Sequence, residues 1–293
     1  MLDFRIETFL MVCRYMNFTK AASKLHITQP AVSQQIHYLE EYFGATLFHY
    51  EKRKLTLTPA GEMVLLACTT FANDQQRLLE RVNELKKASR KVTFGATLTI
   101  GEYVLPPKLA SFIQKYPKHP INMLVKDTDS LLKDLDEGKI EFAFIEGYFP
   151  KDQYDYITWS KEKLLPVCKA HHPVLSQLEI TFYDLFPLPL ILREKGSGTR
   201  DTLEHFLACA NISVHDFASV IEIGGVEAIK TLVSQGAGIS FLYESAIQTE
   251  LANKTLTTIP LREHLFYNDF SFIWRKDSLY ANEYKHFFKA LQL

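Results

Sequence analysis

Cysteine is scarce in this chain: four in 293 residues, at positions 13, 68, 168 and 209. No two form a CxxC pair, which leaves no dithiol redox motif and no zinc knot. Such sparse usage fits a reducing compartment, where a free thiol serves as a small buried hydrophobe. Long apolar runs are missing too. A run such as Met63 to Cys68 is far below the ~20 residues of a membrane span. The first residues, Met-Leu-Asp-Phe-Arg-Ile-Glu, are charged and carry no apolar stretch of the signal-peptide type, so the expected location is the cytoplasm, away from membranes. Net charge is −1, from 33 basic and 34 acidic side chains, without the bulk basic footprint common among nucleic-acid binders. There is no His-Glu-x-x-His, nucleophile elbow or G-x-G-x-x-G, and therefore no positive support for catalysis, an intrinsic cofactor or a metal. Internal repeats and low-complexity tracts are absent as well.

An apolar content of 47% with 23% charged residues describes a folded globular chain. At roughly 100–200 residues per domain, its length suggests two domains, or one with an appendage. The texture divides the chain into 1–58, 59–91 and 92–293. In the first stretch Phe4, Phe9, Leu10, Val12 and Cys13 share one face of a helix. Thr19 is placed to cap a short helix containing Ala21, Ala22 and Leu25. Thr28 caps the next, with Pro30 in its first turn, where the missing N–H is harmless. Ala31, Val32, Ile36 and Leu39 form that helix's buried stripe, and Gly44 ends it. Lys52-Arg53-Lys54 follows between the β-prone segments Leu47-Phe48 and Leu55–Leu57. The pattern is an α-helical helix-turn-helix followed by a hairpin wing.

In a helix-turn-helix the start of the second helix enters the major groove. Thr28, Gln29, Pro30, Ser33, Gln34 and His37 lie around that end. Glutamine can bond an adenine edge in bidentate fashion, and Pro30 can press on a thymine methyl. Ser33 and the free N–H groups of the helix start suit phosphate, and Lys52, Arg53 and Lys54 suit the backbone or the adjacent minor groove. The plainer alternative is a small helical subdomain with a solvated polar face.

The middle stretch opens with Thr58-Pro59. Apolar residues then recur at Val64, Cys68, Phe71, Leu78, Val82 and Leu85, which with Gln75 make a heptad seam. Either the long linker helix packs on its own domain or it pairs with a second copy, Gln75 fixing the register. Beyond Val92, strands are expected at Val92–Gly95, Phe142–Ile145, Leu188–Leu192 and Ile239–Leu242. Helices are expected at Leu131–Gly138, Leu203–Ala208 and Ala228–Gln235. This alternation implies an α/β domain with parallel sheets and room for two lobes.

Phe18-Thr19-Lys20-Ala21-Ala22, Thr28-Gln29-Pro30-Ala31-Val32-Ser33, Leu47-Phe48 and Leu57-Thr58-Pro59-Ala60-Gly61, in this order, resemble the LysR-type transcriptional regulators. The resemblance runs the whole chain. It implies a winged helix-turn-helix DNA-binding domain (1–58), a linker and dimerisation helix (59–91) and an effector-binding domain (92–293). The last is expected to be two Rossmann-like lobes of periplasmic-binding-protein type: lobe I about 92–162 and 267–293, lobe II about 163–266. It implies promoter DNA carrying an inverted repeat, a homodimer or homotetramer, and a small-molecule effector. One position departs: the family usually carries Arg two residues after Leu-Phe, and here it is Tyr50.

The resemblance sets the effector in a cleft between the lobes. Thr97 and Thr99 are one candidate wall, and Thr128 and Ser130 a second. The third is the loop Arg193-Glu-Lys-Gly-Ser-Gly-Thr-Arg200, which looks like the Gly-Ser-Gly-Thr-Arg loop of a subset of LysR-type regulators. Its glycines permit a tight turn whose N–H groups converge on an anion. Ser197, Gly198, Thr199 and Arg200 supply hydroxyls, a helix start and a fork for an oxyanion or carboxylate. The alternative is an ordinary capped helix with Arg200 paired to a neighbouring acid. Glu227 is expected to point away from the cleft or to pair with a base. His171-His172-Pro173 reads as a structural turn, with no metal. The charge divides as +2 over 1–60, +2 over 61–91 and −5 over 92–293, so near-neutrality of the whole excludes nothing about DNA. A pure ligand-binding module and an enzyme are the rival functions.

Overall fold

The computed structural model describes residues 3–51, 54–84, 91–262 and 266–292. The chain divides into two units. One comprises 1–90 with 136–138 and 275–281; the other comprises 91–135, 139–274 and 282–293.

In the first unit, α1 (Phe4–Tyr15), α2 (Phe18–Leu25) and α3 (Gln29–Phe43) pack around Phe9, Val12, Ala21, Ala22, Val32, Ile36 and Leu39. Ala21 and Ala22 are small enough to bring α2 close to its neighbours, and both are buried. Thr28 caps α3, its hydroxyl accepting from the Ala31 N–H at 3.3 Å. Gly44 ends that helix in the left-handed region at φ 65°. The cap of α2 is Asn17, whose side chain accepts from the Lys20 N–H at 2.8 Å, and Thr19 lies inside the first turn. Asparagine is at least as good a cap as threonine, so the helix starts earlier than expected. The wing pairs β1 (Phe48–Glu51) with β2 (Lys54–Leu57) in antiparallel register, Glu51 opposite Lys54; Lys52 and Arg53 lie outside the described residues.

The heptad seam of the long helix α4 (Pro59–Glu84) is buried in its first part and exposed in its second. Val64 packs on the N-terminal core and Cys68 is buried. Phe71, Leu78 and Val82 are 58%, 54% and 52% exposed, and Leu85 lies outside the described residues. Asp74, one turn from Phe71 and Leu78, is buried and accepts from the Ser278 hydroxyl at 2.7 Å and the Leu279 N–H at 2.8 Å.

The second unit runs β3 (Val92–Ala96), a π-helical turn (Ile100–Val104), α5 (Leu105–Lys115), β4 (Ile121–Val125), α6 (Thr128–Asp136), β5 (Ala143–Ile145) and β6 (Tyr154–Lys169). Then come α7 (Phe182–Leu185), β7 (Pro189–Leu192), α8 (Gly198–Cys209), β8 (Ser219–Glu222), α9 (Val226–Ser234) and β9 (Ser240–Tyr243). It closes with α10 (Glu244–Ala252), β10 (Leu256–Thr258), β11 (Phe266–Arg275) and α11 (Ala281–Gln292).

The parallel arrangement expected from the alternation holds for β3 with β4 and β5, and for β7 with β8. It does not hold for the whole: β5–β11, β6–β9 and β6–β10 are antiparallel. The described residues form a seven-stranded mixed sheet, ordered β10-β6-β11-β5-β3-β4 with β9 also on β6. The two long strands explain the difference. β6 contributes Tyr154 to one apolar core, with Leu131, Leu135, Ile140 and Ile145, and Val167 to another, with Ile191, Ile229, Leu242 and Ile247. β11 contributes Ile273 to the first core and, at its start, Phe266 to a ring cluster with Phe182, Phe206 and Phe241. Two cores joined by two shared strands give the unit two lobes.

Candidate DNA interface and effector site

Thr28, Gln29, Pro30, Gln34 and His37 stand exposed along the start and outer face of α3, with Ser33 half-buried between them. The Gln29 side-chain amide donates to the Ser33 hydroxyl at 2.9 Å. His37 Nε2 lies 3.3 Å from the Glu41 carboxylate. Gln29, Ser33 and His37 line a concave surface of about 560 Å³ together with Asn17, Thr19 and Tyr50. Thr28, Pro30 and Gln34 stand outside that concavity. Tyr50, 72% exposed, presents its ring and hydroxyl on the wing, and Lys54 is exposed beside it. Asn17 escapes notice as a site residue in the sequence, because its capping role is what the local pattern shows.

In the second unit, the expected hydroxyls converge on a residue that sequence reasoning passes over, Glu146. Thr199 donates to its Oε1 at 2.9 Å, Thr128 donates to its backbone carbonyl at 3.1 Å, and its N–H donates to the Thr97 hydroxyl at 3.3 Å. Glu146 is 1% exposed. Burial pushes its carboxyl up to about 7, against the lowering influence of the Thr99 and Thr199 hydroxyls and the Arg193 charge. Arg193, equally buried, is held by its neighbour: Nε and Nη2 donate to the two Glu194 oxygens, each at 2.7 Å. The signal for both is present in the sequence, since each charge ends an apolar strand, at the carboxyl edge where open α/β sheets bind ligands.

The junction is tight. A Cβ on Gly198 would lie 2.1 Å from the Glu146 carbonyl oxygen, and one on Gly147 would lie 2.7 Å from the Gly198 Cα. Backbone from the end of β5 therefore rests directly on the start of α8. Three buried side-chain atoms here have no hydrogen-bond partner among the described residues: Glu146 Oε2, Ser197 Oγ and Arg193 Nη1. On the outer side, Asp127 and Asp129 flank Gly196. The Asp201 carboxyl is pushed up by burial and by Asp129.

Two expected wall residues are occupied elsewhere. Ser130 donates to Asp127 at 2.7 Å within its own turn. Arg200 does not offer its fork to a ligand: it donates to Glu204 at 2.7 Å, Glu222 at 2.5 Å and the Arg193 carbonyl at 3.2 Å. The helix spacing of Arg200 and Glu204 makes the first of these pairs nearly unavoidable. Glu227 pairs with a base, Lys230, at 2.6 Å, and accepts from the Tyr103 hydroxyl at 2.6 Å. His172 accepts from the Val174 N–H at 3.2 Å and starts a short 3-10 turn.

Residues 5–62 match the family model described as bacterial regulatory helix-turn-helix protein, lysR family, and residues 86–292 match the LysR substrate binding domain. The chain belongs to the LysR family. As a LysR-type protein it is a sequence-specific DNA-binding transcriptional regulator with a small-molecule-responsive domain. It is 31% identical over 268 residues to the transcriptional activator CmpR of Synechocystis, covering 89% of this chain and 87% of CmpR. The RuBisCO operon transcriptional regulator of Acidithiobacillus ferrooxidans is 31% identical over 263 residues, 88% of this chain and 82% of that one. Among solved structures, an H2O2-bound OxyR mutant of Corynebacterium glutamicum superposes with TM-score 0.61 at 24% identity, covering 98% of this chain and 90% of that one. The Synechocystis CcmR regulatory domain, in complex with 2-PG, superposes with TM-score 0.62 at 22% identity, over 69% and 95%. Among the described residues no helix of this LysR-type chain is long and apolar enough to cross a membrane.

Proposed function

We propose that this LysR-type regulator reads one half of an inverted repeat with α3, and that an acid effector bound at the Glu146 junction changes its arrangement on DNA. The observation that carries the DNA half is the row Gln29, Ser33 and His37 along one concavity, Gln29 and His37 exposed and the Gln29 amide donating to the half-buried Ser33. Gln29 and Gln34 take base edges, adenine above all; Pro30 takes a thymine methyl; Ser33 and the capped helix start at Thr28 take phosphate. Lys52, Arg53 and Lys54 of the wing take the backbone. Tyr50 lies on the same surface, where its phenol can donate one hydrogen bond but brings no charge.

Two chains pair along Phe71, Gln75, Leu78 and Val82 of α4, and pairs assemble into a tetramer in the cytoplasm. The hydroxyls of Thr97, Thr99 and Ser197, with the start of α8 and the loop of the Gly-Ser-Gly-Thr-Arg type, support an effector carrying a carboxylate or oxyanion. Its binding shifts the lobes by as much free energy as its preference for one arrangement supplies. Binding-site selection with Gln29→Ala and with Gln34→Ala tests the DNA half. Each variant is expected to relax preference at one half-site position, losing ~1–3 kcal/mol of discrimination there. An unchanged selected motif in both variants rejects these residues as readers of sequence.

A further inference from the structure

Glu146 occupies the place where a site for a plain anion would hold only donors. Its carboxyl is buried, one oxygen is held by Thr199, and the other has no hydrogen-bond partner among the described residues. Two donors at the same junction are likewise unpartnered, Ser197 Oγ and Arg193 Nη1. Both side chains are almost fully buried, at 1% and 2% exposure. Each unmatched buried polar group carries a desolvation cost, larger where it is charged. A ligand that matched all three would turn that cost into affinity and selectivity.

We infer that the effector of this chain is an α-amino or α-hydroxy acid, its acid group taken by Ser197 and Arg193 and its amino or hydroxyl group donated to Glu146. This rests on the effector-site reading above and narrows its ligand class. With Glu146 ionised, the unmatched groups are one acceptor and two donors, the complement of an acid with an adjacent donor. A simple oxyanion fills the two donors and leaves the Glu146 oxygen facing it, in a loop further flanked by Asp127 and Asp129. A bare cation satisfies Glu146 and is repelled by Arg193. A site built to bond a ligand N–H or O–H rejects the analogue that lacks it by far more than a methylene is worth, because the buried partner is then left alone.

The test is calorimetric titration of the full chain with matched probes. Glycine, L-alanine, L-serine and L-aspartate are set beside glycolate, L-lactate, L-glycerate and L-malate, and against acetate, propionate, succinate and sulfate. At least one amino or hydroxy acid is expected to bind ten-fold or more tightly than its donor-free counterpart. Glu146→Gln removes that preference, while Ser197→Ala weakens all bound acids alike. A donor-free acid or sulfate binding as tightly as the amino and hydroxy acids overturns the ligand class and leaves the effector site standing. Acids that bind equally well to wild type and to both variants bind elsewhere, which overturns the site with the class. No heat from any probe overturns the inference.

Discussion

Glu146 ties the stability of the protein to pH in a definite direction. Its ordinary value is 4.5 and its folded value about 7. Between these, the folded chain keeps a proton that the unfolded chain has released, so stability falls as pH rises through the window. At 1.36 kcal/mol per pKa unit the loss is about 3 kcal/mol by pH 8. The groups facing it are Arg193 with Glu194 on one side, the hydroxyls of Thr99 and Thr199, and the phenol of Tyr243, itself pushed up by burial. Glu146→Gln, which cannot ionise, is expected to raise the melting temperature at pH 8 and leave it near wild type at pH 5. Equal shifts at both pH values would assign the titration to another group. The hydroxyls around Glu146 are legible in the sequence because threonine and serine beside helix starts are a local pattern. The convergence of Thr97, Thr128 and Thr199 on one residue, from positions far apart in the chain, is a product of the tertiary fold. So is the capture of Arg200 by Glu222, 22 residues on.

At the scale of elements, α4 shows what a heptad conceals. The 3–4 spacing is legible, but an internal core and an interface between copies call for the same spacing. Val64 and Cys68 go to the core; Phe71, Leu78 and Val82 stay exposed. Leu78→Glu is therefore expected to cost the folded chain little, within about 0.5 kcal/mol as for other surface changes, while shifting sedimentation toward the single chain. Cys68→Glu, which buries a charge, is expected to lower the melting temperature outright. Sedimentation of Leu78→Glu identical to wild type at micromolar concentration would remove this face from the interface. The recognition helix α3 is readable from its Thr28 cap and the Gly44 that ends it, which act within four residues; the α2 cap, Asn17 in place of Thr19, is not. β6 is not: its 16 residues include Pro166 and several charges, and its length comes from serving two cores in succession.

At the scale of the molecule, the alternation of short apolar runs and helices is enough for an α/β unit with two lobes. The mixed strand order is not legible, because pairing direction depends on which distant strands share a core. Charge follows the same division, +2 on each of the first two stretches and −5 on the last. DNA affinity is thus expected to come from several reading heads and their base contacts, with modest bulk attraction from each. Replacing Lys52, Arg53 and Lys54 together by alanine should weaken binding to all sequences alike and reduce the log–log salt slope by about one for each phosphate no longer neutralised. A slope that does not change in a filter-binding series would remove the wing from the groups that hold the DNA backbone.

The paired strands β6 and β11 bear on how such a protein can move. They are neighbours in the sheet, and each passes through both lobes. Hydrogen-bonded neighbours resist sliding past one another, and strands in a sheet share a common right-handed twist. Rotation of one lobe against the other must then wind both ribbons together, as a single torsional motion.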